Sequence, residues 1–308
     1  MKSRLIKRIK PFFNDAKNIP IKQEKPTLLT TELNEFLAAS PDDRGSLYFF
    51  GYIPISVIYK IFEKEGVFRI LQKKGYEDFK IVLDTGDPFR HRLALYYGGV
   101  QDEAHMLAEV VLKRRSVKIQ AGFQSNLEGE SFEFLSIEWM CLQNPGEKFT
   151  EQRPRLPGQS YPGLGLGAIS LKLLLMTCSR LKLAGLLNVP EHFHNSQMYS
   201  KRFLYIRPEN EGKRRAIARD LLNKYNMAEV SWAIDLNCVL ENGKPFEWFV
   251  SEQIVPLDPR LKKYFKDKRY WKIVSETEKS YEYHLNEVCW EQKKTKIERY
   301  VNGKPAPR

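Results

Sequence analysis

Nowhere in the 308 residues is there a run of about 18 consecutive apolar residues, the length that a membrane-crossing helix needs. The most apolar stretch, Ile169 to Leu187, is interrupted by Lys172, Ser179, Arg180 and Lys182. Cysteine is scarce. Cys141, Cys178, Cys238 and Cys289 are widely spaced and form no CxxC pair, which argues against a zinc site and a disulfide framework. They read as reduced thiols of a cytoplasmic protein. The first ten residues carry five bases, but no apolar core or small-residue cleavage site comes after them, so no secretory signal is expected. No GxxxxGK[ST] motif is present, which excludes a P-loop, and no internal repeat is visible.

What the chain does have is apolar content and positive charge. Hydrophobic residues make up 42%, enough for one large core or two modest ones. The formal net charge is +12 and sits mostly near the ends, in the first ten residues and in Arg260, Lys262, Lys263, Lys266, Lys268, Arg269 and Lys272. Such termini suit an anionic partner, a nucleic acid or a membrane surface, or simply a solvated basic face.

Residues 1–45 are polar and basic, are punctuated by Pro11, Pro20, Pro26 and Pro41, and read as a basic N-terminal arm. Ile55 to Lys74 reads as a helix with Ile58, Ile61, Phe62 and Leu71 inward and Gly75 at its end. Lys80–Leu83 and Arg92–Tyr97 read as strands. Periodicity leaves Met106–Leu112 open between strand and short helix. Glu130 to Leu142, rich in aromatic and branched residues, reads as a central strand. A Pro-rich loop covers Glu147 to Pro162, and next comes Gly-Leu-Gly-Leu-Gly from Gly163 to Gly167. An apolar helix from Ala168 to Leu183, closed by Gly185, a short strand at Leu186–Pro190, a helix over His192–Phe203, a strand at Phe203–Ile206 and a helix at Glu211–Lys224 complete the middle of the chain. Val230–Leu240 and Phe246–Val250 flank Asn242-Gly243 and read as a β-hairpin. The last fifty or so residues give no assignment.

A glycine run between a loop and a helix lets the backbone approach an anion, to which the first-turn amides then donate. A Rossmann nucleotide site would use Gly163, Gly165 and Gly167 with Glu191 on a ribose, but Ala168 stands where the third glycine belongs and no strand precedes Gly163. A plain packing loop is the other alternative. A third reading joins the loop to the helix, strand and second helix on its C-terminal side. Gly163 and Gly165, the apolar helix, the strand after it, and then Asn195, Tyr199, Lys201 and Phe203 occur in the order of the GNAT acyltransferase motif. In this respect the sequence resembles the GNAT superfamily over roughly residues 130 to 206. Ser160 stands at the family's Gln/Arg position, Arg202 replaces a glycine, and either Asn195 or His192 takes the place of its asparagine.

The resemblance implies an α+β (mixed α/β) fold, a twisted, mostly antiparallel sheet flanked by helices. The core is expected at residues 46–208, with a C-terminal extension at residues 209–308 that carries the hairpin and is packed on the core or continuous with it. It implies an N-acyltransferase that takes acetyl-CoA or another acyl-CoA as co-substrate and an amine as acceptor, with no metal. Gly163, Leu164, Gly165, Leu166, Gly167 and Ala168, with Asn195, would bind the cofactor. Tyr199 matches the family's acid for the leaving thiolate, and Glu138 the glutamate that the family often places on its fourth strand. His192 and His194 are rival bases, and the pair also raises a minor metal alternative. Two other functions stay open: a GNAT-like module without catalysis that recognises a nucleotide, nucleic acid or protein, and a nicotinamide-dependent oxidoreductase.

Overall fold

The computed structural model describes residues 48–302, with side chains described up to residue 294. The basic arm at residues 1–45 lies outside these residues. In chain order the elements are β1 (Tyr48–Phe49), β2 (Ile53–Pro54), α1 (Ile55–Lys64), α2 (Val67–Gln72), β3 (Lys80–Asp87), β4 (Arg90–Tyr96), β5 (Met106–Lys118), β6 (Ser131–Leu142), α3 (Gly167–Arg180), β7 (Gly185–Asn188), α4 (Phe193–Met198), β8 (Leu204–Tyr205), α5 (Pro208–Leu221), α6 (Met227–Asp235), β9 (Val239–Glu241), β10 (Lys244–Pro245), β11 (Gln253–Pro256), α7 (Pro259–Tyr264), α8 (Lys268–Ser280), β12 (Tyr283–Leu285) and α9 (Glu287–Asn302). No helix among the described residues is long and apolar enough to cross a membrane.

Seven strands form the main sheet in the order β3-β4-β5-β6-β7-β11-β8. It is a mostly antiparallel sheet flanked by helices, as expected. The β6–β7 pair is parallel, with Phe134 opposite Gly185 and Ile137 opposite Asn188. Parallel neighbours need a crossover connection, and here the loop at 143–166 and helix α3 supply it. Strand β11 pairs antiparallel with both β7 and β8. The sheet therefore takes in residues of the C-terminal extension, past residue 208.

Two compact units divide the chain. Of the described residues, the first takes in those up to Lys113, with Trp139–Leu142 and Leu164–Leu173. Its β3–β4 hairpin and the start of β5 bury Ile81, Leu93, Leu95, Leu107 and Leu112. Helix α1 contributes Val57 and Ile58, and α2 contributes Val67 and Leu71. Ile61 and Phe62 are only partly buried. Gly75 comes after α2 with φ +86°, a stop signal legible in the sequence. Met106–Leu112, left open by periodicity, is strand.

The second unit holds Arg114–Glu138, Gln143–Gly163 and the chain from Leu174 onward. One of its cores joins β6 (Phe132, Phe134), β7 (Leu187) and β11 (Ile254) to Tyr264, Tyr270 and Val274 of α7 and α8. Another joins α4, α5 and α6 to β9 and β12 through Phe193, Ile217, Val230, Ile234 and Tyr283. The segment from Val230 to Leu240, expected as strand throughout, is strand only at its end, in β9. Residues 227–235 are helix, started by a capping box between Asn226 and Glu229. Burial of Val230, Ala233 and Ile234 obeys helical spacing. The hairpin itself is present but short, turning at Asn242 (φ +49°) and Gly243 (φ +78°). Cys238 and Cys289 form a disulfide, against the expectation of four thiols, whereas Cys141 and Cys178 are free. The two bonded residues are brought together by α6, β9 and the start of α9, a proximity that their spacing in the sequence does not reveal.

Gly185 does not close α3, which ends at Arg180. It opens β7, where an added Cβ would stand 2.2 Å from the Val255 carbonyl oxygen. That contact is backbone on the neighbouring strand β11 and cannot rotate away. Gly185→Ala is expected to cost about 3 kcal/mol, the upper range for overpacking a tight interior. A urea titration read by fluorescence measures it. An unchanged midpoint would mean that β11 yields freely.

Candidate functional site

The loop between β6 and α3 is built by alternation. Leu164 and Leu166 are buried, while Gly163 and Gly165 are exposed. No atom lies within 4 Å of a Cβ built on either glycine, and Gly165 has φ +83°. The leucines thus act as pins and leave the backbone between them bare. The loop is also tied to the end of β6. The Leu164 amide donates to the Leu142 carbonyl at 3.1 Å, and that of Asn144 to the Pro162 carbonyl at 2.7 Å. Helical hydrogen bonding in α3 begins with the Ser170 amide on the Leu166 carbonyl. The amides of Gly167, Ala168 and Ile169 accordingly have no carbonyl one turn back in the helix. Residues 157–162 contain no strand, which removes the strand that a Rossmann turn requires.

Glu138 lies on β6 one residue beyond Ile137, where the parallel ladder with β7 ends. Its position on a central strand suggested a buried carboxylate. The structure corrects this: Glu138 is exposed and accepts a hydrogen bond from the Ser136 hydroxyl at 2.9 Å. Ser136, not Glu138, is the buried polar residue of this strand face, because the core ends before residue 138.

Four residues past the end of β7, His192 occupies the N-cap position of α4, and Tyr199 the C-cap position. His192 Nδ1 lies 2.8 Å from Asp235 Oδ1, at the end of α6. His194 is buried, its ring stacked 5.4 Å from that of His192, and its Nδ1 has no hydrogen-bond partner. Burial, and secondly the proximity of His192, push the His194 imidazole down to about 3, so it is neutral at ordinary pH. Tyr199 is partly buried and packs edge-on to Phe203 at 6.2 Å. Its hydroxyl makes no hydrogen bond to another described residue, and burial raises its pKa, so it stays protonated. Asn195 is half-buried on α4, two residues from Gln197, whose Oε1 accepts from Arg214 at 2.5 Å. Beneath this helix Ser196 Oγ accepts from Tyr205 at 3.0 Å and from Gln253 at 2.9 Å. Arg214 and Arg215 neutralise the fully buried Glu211.

No family model, curated protein or solved structure matches the chain.

Nothing in the sequence pattern marks Asp235, because its segment alternates like a strand. The Asn226-x-x-Glu229 spacing was the signal that could have placed it at the end of a helix. Of the C-terminal basic cluster, Arg260 is paired with Asp258 and Glu130, and Arg269 with Asp267. Lys262, Lys263, Lys266, Lys268 and Lys272 are exposed. A cavity of about 690 Å³ is lined by Lys118, Gln120, Phe123, Gln124, Glu128 and Arg207, none of them singled out by sequence. Its two cations share the lining with Glu128, and Glu209 stands beside Gly122, so its charge is close to balanced. Among the described residues no group of three or more His, Cys, Asp or Glu could hold a metal ion.

Proposed function

We propose that this chain is an acyl-CoA-dependent N-acyltransferase of GNAT type, using acetyl-CoA first among acyl-CoAs. The observation that carries the proposal is the parallel β6–β7 pair. These are the fourth and fifth strands across the main sheet, joined through a bare glycine loop and α3, and their ladder stops just before Glu138. Of the motif residues, Gly163 and Gly165 lie in this loop, and Asn195 and Tyr199 lie on the short helix α4 after β7. In this reading the CoA pyrophosphate rests on the amides of Gly163 to Ala168. The acceptor amine loses a proton to a base, either Glu138 or His192, and attacks the thioester carbonyl. The C–S bond then breaks, and the Tyr199 phenol gives its proton to the thiolate.

Binding tests this directly. Acetyl-CoA and free CoA, but not NADH, are expected to bind the full chain saturably in calorimetry. At a hundred times its Kd a ligand adds about 2.7 kcal/mol to the native state, so the melting temperature rises with it. A shift with NADH alone would overturn the proposal in favour of a nicotinamide enzyme.

A further inference from the structure

Resting on the acyltransferase reading, we infer that Asp235 is a positioning residue that orients His192 as the base for the acceptor amine. His192 Nδ1 faces the Asp235 carboxylate at 2.8 Å, and a carboxylate can only accept. The imidazole therefore carries its proton on Nδ1 and presents a lone pair at Nε2. That nitrogen lies beside the turn at Gly158, where a Cβ would stand 3.2 Å away, so any larger residue there would crowd Nε2. The turn is itself held. Trp232 of α6 donates to the Arg155 carbonyl at 2.8 Å, and Arg155 Nε reaches the Gln159 carbonyl at 2.6 Å. Helix α6 thus fixes both the carboxylate behind His192 and the loop in front of it.

Placement also suits a division of labour with Tyr199. The two residues cap opposite ends of one short helix, so their Cα atoms are about 10 Å apart at 1.5 Å per residue. Two side chains at that distance can meet one substrate from two sides. Glu138 has no comparable support, since its one described partner is the Ser136 hydroxyl. The proton balance closes. His192 Nε2 takes the proton that the amine loses as the C–N bond forms, Tyr199 supplies the proton that the thiolate gains, and solvent carries one proton from His192 back to Tyr199.

The test uses the full chain, acetyl-CoA, and hydroxylamine as a small acceptor. Diethyl pyrocarbonate first reports His192 Nε2 in the wild type, read by peptide mass spectrometry. Acetyl-CoA alone, without hydroxylamine, which would strip the label from histidine, is expected to slow the labelling. Asp235→Asn is then expected to lower kcat about 10²-fold, the usual scale for a misoriented base. Its KM for acetyl-CoA should stay within about twofold, because the loop amides hold the cofactor. Asp235→Glu should restore part of kcat, which a merely structural loss would not allow. If wild type does not bind acetyl-CoA, the acyltransferase reading falls and this inference with it. If it binds but His192 labelling ignores acetyl-CoA, or the variant keeps its kcat, only the role of Asp235 and His192 is overturned.

Discussion

Gly165→Asp is expected to abolish acetyl-CoA binding while the protein stays folded. The loop around Gly165 is held by Leu164 and Leu166, both buried, and the glycine itself faces open space with φ +83°. Aspartate is among the few residues that tolerate this left-handed conformation, so the strain is small. Its carboxylate would point into the region where the pyrophosphate is proposed to sit. Two like charges about 4 Å apart repel by roughly 4 kcal/mol at an effective dielectric of 20, and bulk adds to this. An affinity loss of at least about 10²-fold corresponds to 2.7 kcal/mol or more. Calorimetry on the variant, with circular dichroism as the fold control, measures it. Unchanged affinity in a folded variant would put the CoA phosphates elsewhere.

Tyr199→Phe should separate catalysis from packing. The ring meets Phe203 edge-on, and phenylalanine keeps that contact. The hydroxyl has no hydrogen bond to a described residue, so its removal should change stability by no more than about 0.5 kcal/mol. Burial raises the phenol's pKa, which keeps the acid form present through neutral pH. With the acid gone, kcat for acetyl transfer is expected to fall by about 10²-fold or more at nearly constant acetyl-CoA affinity. A large stability loss with both constants disturbed would instead assign Tyr199 to packing.

Much of the sheet was legible because its signal is local. Glu130–Leu142 carried enough aromatic and branched residues to declare a long strand, and it is β6. Asn242-Gly243 declared its turn for the same reason. The helix at Met227–Asp235 is harder to read, because its apolar residues suit a strand as well and only the capping box at Asn226 and Glu229 marks its start. Position on a strand was also a poor guide to depth. Glu138 was placed on the correct strand, but the core stops at Ser136, and where a core stops depends on which elements cover the strand. Asp235 shows the same limit in the site. Its partner His192 was named from the sequence, yet the pairing joins elements that are distant in the chain. The Cys238–Cys289 bond was unreadable for that reason too.

Strand β11 carries a consequence for synthesis. Its place is between β7 and β8, although both are made long before it. Until residues 253–256 leave the ribosome, β8 has no neighbour in the sheet, and β7 shows one bare edge that includes Leu186 and Leu187. Unpaired apolar edges recruit other strands, including those of sister chains. This side of the sheet can therefore be completed only after residues 253–256 have been made.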